Sequence, residues 1–345
     1  MRKRLLALLA LLMALSMILA LSGCNSGNVS QVEQDPPQTT ETTQGDSQGV
    51  TPGQDSRPVI HGLITRVEYG DNVAYIFGSL HSGRADWFPL SPIVEDAMSR
   101  ADVFAFEIDM SLMGTQEVSD HLDSLILLPD GQTLQDVLSP ESMDNFIEKI
   151  GTVPFLSDNA ENFRELPLTP VAILMLVILP EITAHLDIES EYSVDDYVNT
   201  FALENDRPSI GLTSIFDELD LLYGVPMEIQ ATIFDGDTLA DWETIIAALD
   251  DIALVEAYEA QDLVLLQNAF AASRDDSIYG QHFHNVNWNM RCHIFANEIA
   301  RLLQETEEPT TYFVTVGISH IIGGDFGKVL EILENSGFEV TPLWS

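Results

Sequence analysis

Short apolar runs with strand character recur along the chain and alternate with segments of helical pattern. Three of them, Val73 to Phe77, Val103 to Glu107 and Tyr312 to Val316, combine β-branched and aromatic residues. Buried strands that alternate with helices are typical of α/β proteins. The pattern therefore predicts an α/β fold, in which a mixed sheet is bordered by helices and the middle segment is mostly helical.

Turn and cap signals locate further elements. Val59 to Glu68 and Val73 to Phe77 flank the turn cluster Gly70-Asp71-Asn72, which predicts a hairpin. A short strand is predicted over residues 208–212. Helix starts are predicted at a serine or threonine that precedes a proline or an acidic first turn, namely at Ser91-Pro92, Ser139-Pro140, Thr169-Pro170 and Ser193.

Two other segments are predicted from hydrophobic pattern. Val171 to Leu179 is wholly apolar and is followed by Pro180, so it predicts a buried helix that stops there and is too short to cross a bilayer. The acidic stretch from Asp235 to Ala272 predicts helices with solvated faces. At the end of the chain, a helix over Asp325 to Glu334 and a strand over Phe338 to Leu343 complete a predicted βαβ unit.

The first 57 residues have the pattern of an exported lipoprotein. Residues 1–23 begin with basic residues, continue with an apolar run and end with small residues, which is the order of a signal peptide. The sequence Leu21-Ser22-Gly23-Cys24 predicts that Cys24 is the lipidated first residue of the mature protein. An uncleaved transmembrane helix is the alternative. Residues 24–57 predict a flexible linker before a single domain over residues 58–345.

Charge and cysteine content limit the partners of the chain. The sequence has 14 Lys and Arg against 55 Asp and Glu, a net charge of −41, so nucleic acid is excluded as an expected partner. We expect the chain at the extracytoplasmic face of the cell membrane, held by the lipid on Cys24. Cys292 is then without a disulfide partner and is predicted to be a small buried residue.

Two of the apolar runs are followed by the same motif. Gly78 to His81 and Gly317 to His320 both read Gly-x-x-His, and Glu107 ends the remaining run. Glycine permits a sharp exit from a strand, and α/β proteins bind ligands at the carboxyl edge of the sheet. Two imidazoles and one carboxylate there suit a divalent cation with an open position for water. The alternative is that both histidines cap strand ends and Glu107 pairs with an arginine.

These motifs resemble the TraB/GumN family, which includes the Tiki metal-dependent proteases and bacterial pheromone-shutdown proteins. The resemblance covers roughly Val59 to Leu343. It rests on Gly78-Ser79-Leu80-His81, Phe88-Pro89-Leu90, Glu107-Ile108-Asp109, Val316-Gly317-Ile318-Ser319-His320, Gly323-Gly324 and Gly327. It implies that His81, His320 and Glu107 hold a divalent cation, with manganese, cobalt or zinc as candidates, and that Glu107 is catalytic.

The chain departs from the family pattern at two places. The family has an Arg-Asn pair before the last Gly-x-x-His, where this chain has Arg291-Cys292, and a Leu-Glu pair where this chain has Leu212-Thr213. Arg291 is expected to stabilise developing negative charge or to orient Glu107, and so to support the site rather than the fold. Hydrogen bonding around the site is expected to differ from that of the family. The segment His282-Phe283-His284 could add ligands, but a surface loop is favoured.

The resemblance predicts a metal-dependent hydrolase, with peptide bonds as the first choice of substrate. Two alternatives stay open. The chain could sequester an extracellular peptide or another small extracellular ligand without cleaving it, or it could hydrolyse a substrate without metal, with histidine and glutamate as acid and base. All three functions would keep the same polar residues at the strand ends.

The predicted anchor can be tested at the cysteine itself. Cys24→Ala should leave the protein without lipid, because the sulfur of Cys24 is the atom to which the diacylglycerol is attached. Mass spectrometry of the detergent-phase fraction measures this, and Cys292→Ala is the matched control that should remain lipidated. An acylated Cys24→Ala protein would contradict the prediction.

Overall fold

A six-stranded mixed sheet carries the fold. The computed structural model describes residues 59–186, 188–235, 242–246, 254–272 and 276–344. The strands are β1 Thr65–Tyr69, β2 Asn72–Ser79, β3 Val103–Ile108, β4 Ser209–Thr213, β5 Thr311–Gly317 and β6 Glu339–Pro342.

The strand order brings the three predicted site strands together. The order is β4-β3-β5-β2-β1-β6, and β4, β3, β5 and β2 run parallel. β1 is antiparallel to both β2 and β6. Because β5 lies between β3 and β2, the carboxyl ends of these three strands form one continuous edge. The predicted α/β fold with a mixed sheet is therefore confirmed.

The N-terminal hairpin is tied to the middle of the sheet. Its turn contains Gly70 at φ +60°, a conformation that glycine adopts without steric cost. Asn72 begins β2, and its side-chain amide donates to the carbonyls of Leu303 and Thr306 at 2.9 Å each. The amide oxygen of Asn72 accepts from the backbone N–H of Thr310 at 2.9 Å. These bonds hold β2 beside β5, which begins one residue later.

Helices pack along the sheet and make up most of the middle segment. Two π-helical turns cover Leu174–Ile178 and Asn285–Met290, and a further helical turn covers residues 242–246. The helices are α1 Pro92–Arg100, α2 Gln116–Ile126, α3 Leu134–Val137, α4 Pro140–Ile150, α5 Pro170–Ile173, α6 Leu179–His185, α7 Val194–Glu204, α8 Ile215–Tyr223, α9 Met227–Gln230, α10 Leu254–Ala260, α11 Leu263–Ala272, α12 Ile278–His284, α13 Arg291–Glu305 and α14 Val329–Asn335.

The predicted helix starts are confirmed. The hydroxyls of Ser139, Thr169 and Ser193 each accept a backbone N–H from the first turn that follows, which satisfies one of the donors a helix start leaves free. At the fourth start Pro92 occupies the first turn of α1, where its missing N–H costs nothing.

The apolar helix does not end at Pro180, contrary to the prediction. Val171 to Leu179 is buried as expected except at Leu176 and Val177, which are partly buried, but α5, the π turn and α6 continue to His185. The π turn changes the hydrogen-bond spacing just before α6, and the backbone N–H of Leu179 donates to Leu174 five residues earlier. Pro180 then falls in the first turn of α6, where proline is tolerated.

The C-terminal βαβ unit is confirmed, since its two strands are parallel, but its helix begins four residues after the predicted start at Asp325. Gly323 and Gly324 have φ of +77° and +71°, and the N–H of Gly323 donates to Gly327 at 2.8 Å. This loop occupies the residues predicted for the first turn, so α14 begins at Val329. β6 runs in the same direction as β5, with β2 and β1 between them.

Some predictions fall outside the described residues. The signal peptide over residues 1–23 and the linker over 24–57 lie there, as do parts of the acidic stretch, of which residues 242–246, α10 and α11 are helical as predicted. No helix within the described ranges has the length and apolar character to span a bilayer.

The first Gly-x-x-His glycine is required by packing. A Cβ on Gly78 would lie 2.3 Å from Cδ1 of Ile318 and 2.8 Å from the carbonyl oxygen of Gly62. Gly78→Ala should therefore lower the free energy of unfolding by about 1–3 kcal/mol, measured by denaturant titration. Gly70→Asn is the control, because nothing lies within 4 Å of that position and Asn tolerates positive φ. A Gly78→Ala protein as stable as the parent would show that Gly78 is not packed this closely against Ile318 and Gly62.

Candidate functional site

Three strand ends converge on Gly317. A Cβ at Gly317 would lie 3.3 Å from Oε1 of Glu107, 3.6 Å from Cδ2 of His320 and 3.8 Å from Nε2 of His81. Glu107 is on β3, His320 follows β5 and His81 follows β2. The missing side chain of Gly317 thus leaves a small space that these three groups surround.

Glu107 is buried and held at both carboxylate oxygens. Its Oε1 accepts the backbone N–H of Gly317 at 2.7 Å, and its Oε2 accepts from Arg291 at 2.5 Å. Burial alone would raise the pKa of Glu107, but the charges of Arg291, His320 and His81 and the Gly317 hydrogen bond outweigh it and lower that pKa. Glu107 is therefore ionised.

Arg291 joins two carboxylates. It is the first residue of α13, it is 1% exposed, and its NH2 group lies 2.5 Å from both Glu107 Oε2 and Glu218 Oε1. Its NH1 group donates to Oδ1 of Asn287 at 2.8 Å. Burial of the Glu218 carboxyl raises its pKa despite the attraction of Arg291.

His81 is paired with a second buried carboxylate. Its Nδ1 lies 2.7 Å from Oδ2 of Asp195. Burial opposes protonation of His81, but the charge and hydrogen bond of Asp195 outweigh it and raise the pKa of His81 to about 9. Its Nε2 is buried and has no hydrogen-bond partner in the described part of the protein.

His320 has a different environment from His81. Its Nδ1 lies 3.3 Å from Sγ of Cys292, and its ring stands edge-on to Phe295 at 5.0 Å between centroids. Burial first, and then the positive charge of Arg291, lower the pKa of His320 to about 3. His320 is therefore neutral, and its Nε2 faces Oε1 of Glu107 at 3.7 Å.

The donor atoms of the site are those a divalent cation would use. The 3.7 Å between His320 Nε2 and Glu107 Oε1 is too long for a hydrogen bond. It is close to the separation of about 3.4 Å between two ligand atoms bound ~2.1 Å from a tetrahedral ion. Among the described side chains, no three His, Cys, Asp or Glu groups already stand close enough to hold a metal ion. The case for a divalent cation therefore depends on the kinds of donor atom present and on the negative charge of the site.

Sequence reasoning brought His81, His320, Glu107 and Arg291 to one site, and the structure places them there. It missed Glu218, Asp195 and Asn287. Glu218 was detectable, because it lies three residues after Ile215 on the apolar face of α8 together with Leu219 and Leu222, where a carboxylate needs a partner. Asp195 carried no such signal, since an acidic residue in the first turn of a helix is ordinary.

The departures from the family pattern are matched by neighbouring residues. Cys292 stands where the family has asparagine, and Asn287, one helical turn before Arg291, supplies an amide oxygen to its guanidinium. Thr213 stands where the family has glutamate, and Glu218 supplies a carboxylate from α8. That this hydrogen bonding differs from that of the family stays a prediction.

The structure also describes Cys292 and the segment His282-Phe283-His284. Cys292 is fully buried, as predicted. The surface loop expected for His282-Phe283-His284 is wrong, because these residues lie on α12. Tyr279 and Phe283, four residues apart, bury one face of that helix, and the ring of His284 packs against Trp288 and Phe326.

Sequence comparison agrees with the motifs that form the site. The TraB/PrgY/gumN family matches residues 63–342. The chain belongs to this family. Two relatives, the uncharacterized protein YbaP of Shigella flexneri and that of Escherichia coli (strain K12), are each 23% identical over 259 residues. Each match covers 74% of this chain and 86% of the relative. No solved structure matches the chain.

Because Arg291 is buried between two carboxylates, we expect it to stabilise the fold as well as the site, which differs from the expectation drawn from the sequence. Arg291→Ala leaves two buried carboxylates without a cation, so we expect it to lower the free energy of unfolding by about 3–5 kcal/mol. Arg301→Ala removes an exposed arginine that also pairs with two glutamates, and should cost less than about 1 kcal/mol. Denaturant titration measures both changes, and equal losses in the free energy of unfolding for the two variants would contradict this prediction.

Proposed function

We propose that this protein is a divalent-metal-dependent hydrolase of peptide bonds, lipid-anchored through Cys24 at the extracytoplasmic face of the membrane. One observation carries the catalytic part. Nε2 of His81 is buried, has no hydrogen-bond partner among the residues that the structure describes, and faces the same small space as Glu107 and His320. A buried polar atom without a partner is costly unless a ligand satisfies it.

The charge of the site supports a divalent cation. His81 is protonated while the site is empty, and a cation that binds its Nε2 would displace that proton. Both imidazoles are then neutral, and the carboxylates of Glu107, Glu218 and Asp195 exceed the single guanidinium of Arg291 by two negative charges. Uncompensated charge in a buried site is strongly unfavourable. One divalent cation would balance it, and a mixed nitrogen and oxygen donor set accepts manganese, cobalt or zinc.

Each side chain then has a chemical role. His81 Nε2, His320 Nε2 and Glu107 Oε1 would hold the cation, which when bound lowers the pKa of a bound water and polarises a carbonyl. The lowered pKa of Glu107 suits a ligand better than a general base, since a base works best with a pKa near the working pH. Glu218 has a raised pKa, and its Oε2 has no hydrogen-bond partner within the described ranges, so this oxygen can hold a proton.

The choice of peptide bonds rests on the family resemblance. Two other functions would use the same site, and a cleavage assay separates them. Binding of a peptide without cleavage would favour a sequestering protein, and cleavage that persists in chelator would favour acid–base hydrolysis without metal.

Gly317→Ala is the sharpest test of the cation site. The new methyl group would stand 3.3–3.8 Å from all three groups, which is ordinary to tight contact, so the protein should fold while the space is filled. We expect the parent to retain one equivalent of Co²⁺ after dialysis against a weak chelator, and Gly317→Ala and the double variant His81→Ala, His320→Ala to retain none. Elemental analysis measures the retained metal.

His121→Ala is the matched control, since His121 is partly exposed and pairs with Asp220 at 3.0 Å rather than with Glu107, His81 or His320. It should keep the equivalent, because ions bound weakly to surface carboxylates wash away. Retention by the double variant would refute the site. Glu107→Gln should lose both metal and turnover if Glu107 is a ligand, and turnover alone if it is the base.

A further inference from the structure

The carboxylate of Asp195 lies between two residues of the first Gly-x-x-His motif. Its Oδ2 is 2.7 Å from Nδ1 of His81, and its Oδ1 accepts from the hydroxyl of Ser79 at 2.9 Å. The side chain of Asp195 is 3% exposed and that of His81 is 2% exposed. Both carboxylate oxygens are therefore used, and both bonds cross from α7 to the end of β2.

Asp195 is not explained by its place in the helix. Ser193 already caps α7 and accepts the backbone N–H of Asp196. Asp196 is exposed in the same first turn, where an acidic side chain interacts favourably with the helix dipole. Asp195 is buried instead, so its position needs a reason other than the stability of the helix.

We propose that Asp195 is a positioning residue for the cation site, and that it keeps the proton of His81 on Nδ1 so that Nε2 is presented to the cation. This inference rests on the function proposed above. Histidines that bind metals commonly donate their second N–H to a carboxylate, which fixes the ring and makes it a better ligand. Ser79 holds the carboxylate in place for this contact.

The two histidines are then unequal ligands. His81 is oriented by a charged carboxylate, whereas the Nδ1 of His320 meets the weakly polar thiol of Cys292 at 3.3 Å. A charged acceptor binds an N–H about twice as strongly as a neutral one. His81 should therefore contribute more of the binding free energy of the cation than His320.

Nuclear magnetic resonance of the full mature chain with ¹⁵N-labelled histidine tests the positioning directly. The parent, without added metal, should show a proton on Nδ1 of His81 with the low-field shift of a strong hydrogen bond. Asp195→Asn should move that resonance to higher field, because a neutral amide is a weaker acceptor. Asp196→Asn removes the same charge one residue along the helix and should leave the Nδ1 proton resonance of His81 unchanged.

The parent spectrum alone is decisive if Asp195→Asn does not fold. A bare Nδ1 with the proton on Nε2 of His81 would overturn the proposal, and so would an Asp195→Asn spectrum identical to that of the parent. These results do not depend on metal binding, so they can overturn the role of Asp195 without overturning the proposed function.

Calorimetric titration with Co²⁺ gives the second readout. Asp195→Asn should bind Co²⁺ about 10- to 100-fold more weakly than the parent, whereas Asp196→Asn should change the affinity less than about 3-fold. Equal affinity of Asp195→Asn and the parent would overturn the link between Asp195 and the cation. A parent that binds no Co²⁺ would overturn the proposed function instead.

Discussion

The buried ion pair between Glu107 and Arg291 is the interaction on which the rest of the site depends. It connects β3 to the start of α13, and Glu218 extends it to α8. With Oε2 taken by the guanidinium, Glu107 can present only Oε1 to the space at Gly317. The pair therefore fixes which oxygen is available, and it keeps that oxygen ionised. Removal of Arg291 would leave both buried carboxylates without a cation, whereas removal of Glu107 would leave Arg291 paired with Glu218, so fold and site cannot be separated at Arg291.

The repeated Gly-x-x-His motif uses its glycine for two different reasons. At Gly78 a side chain would collide with the backbone of Gly62, so glycine permits the close approach of two chain segments. At Gly317 a side chain would meet only the ends of functional groups, at 3.3 Å or more, so glycine keeps a space open between them. Packing determines the first position, and access to donor atoms determines the second.

Much of the fold and the core of the site could be predicted from sequence. The strands, the capped helices and the meeting of His81, His320 and Glu107 follow from apolar runs that end in polar residues. The position of β5 between β2 and β3 does not, because an apolar run predicts a strand and not its neighbours. Asp195 was missed because burial depends on tertiary contacts, and a first-turn aspartate looks the same whether it faces solvent or His81. The continuation through Pro180 depends on a π turn, for which the sequence has no clear signal.

The site is buried, and α10 and α11 each contact the chain close to one of the Gly-x-x-His motifs. The hydroxyl of Tyr258 on α10 donates to the carbonyl of Gly78 at 3.0 Å, and the side-chain amide of Gln267 on α11 donates to Ile322 at 2.6 Å. One helix thus contacts Gly78 in the first motif and the other contacts Ile322 just after the second, and His81, Glu107 and His320 are at most 4% exposed. A single ion can be enclosed by buried side chains, whereas a peptide is too large to contact groups that are at most 4% exposed unless part of the structure around them moves. Each hydrogen bond contributes only about 1 kcal/mol, but Tyr258 and Phe270 are also buried in the core. Cation binding and peptide cleavage therefore make different demands on the fold, and a protein that retains the ion without cleaving peptides would point to the burial of the site rather than to its donor atoms.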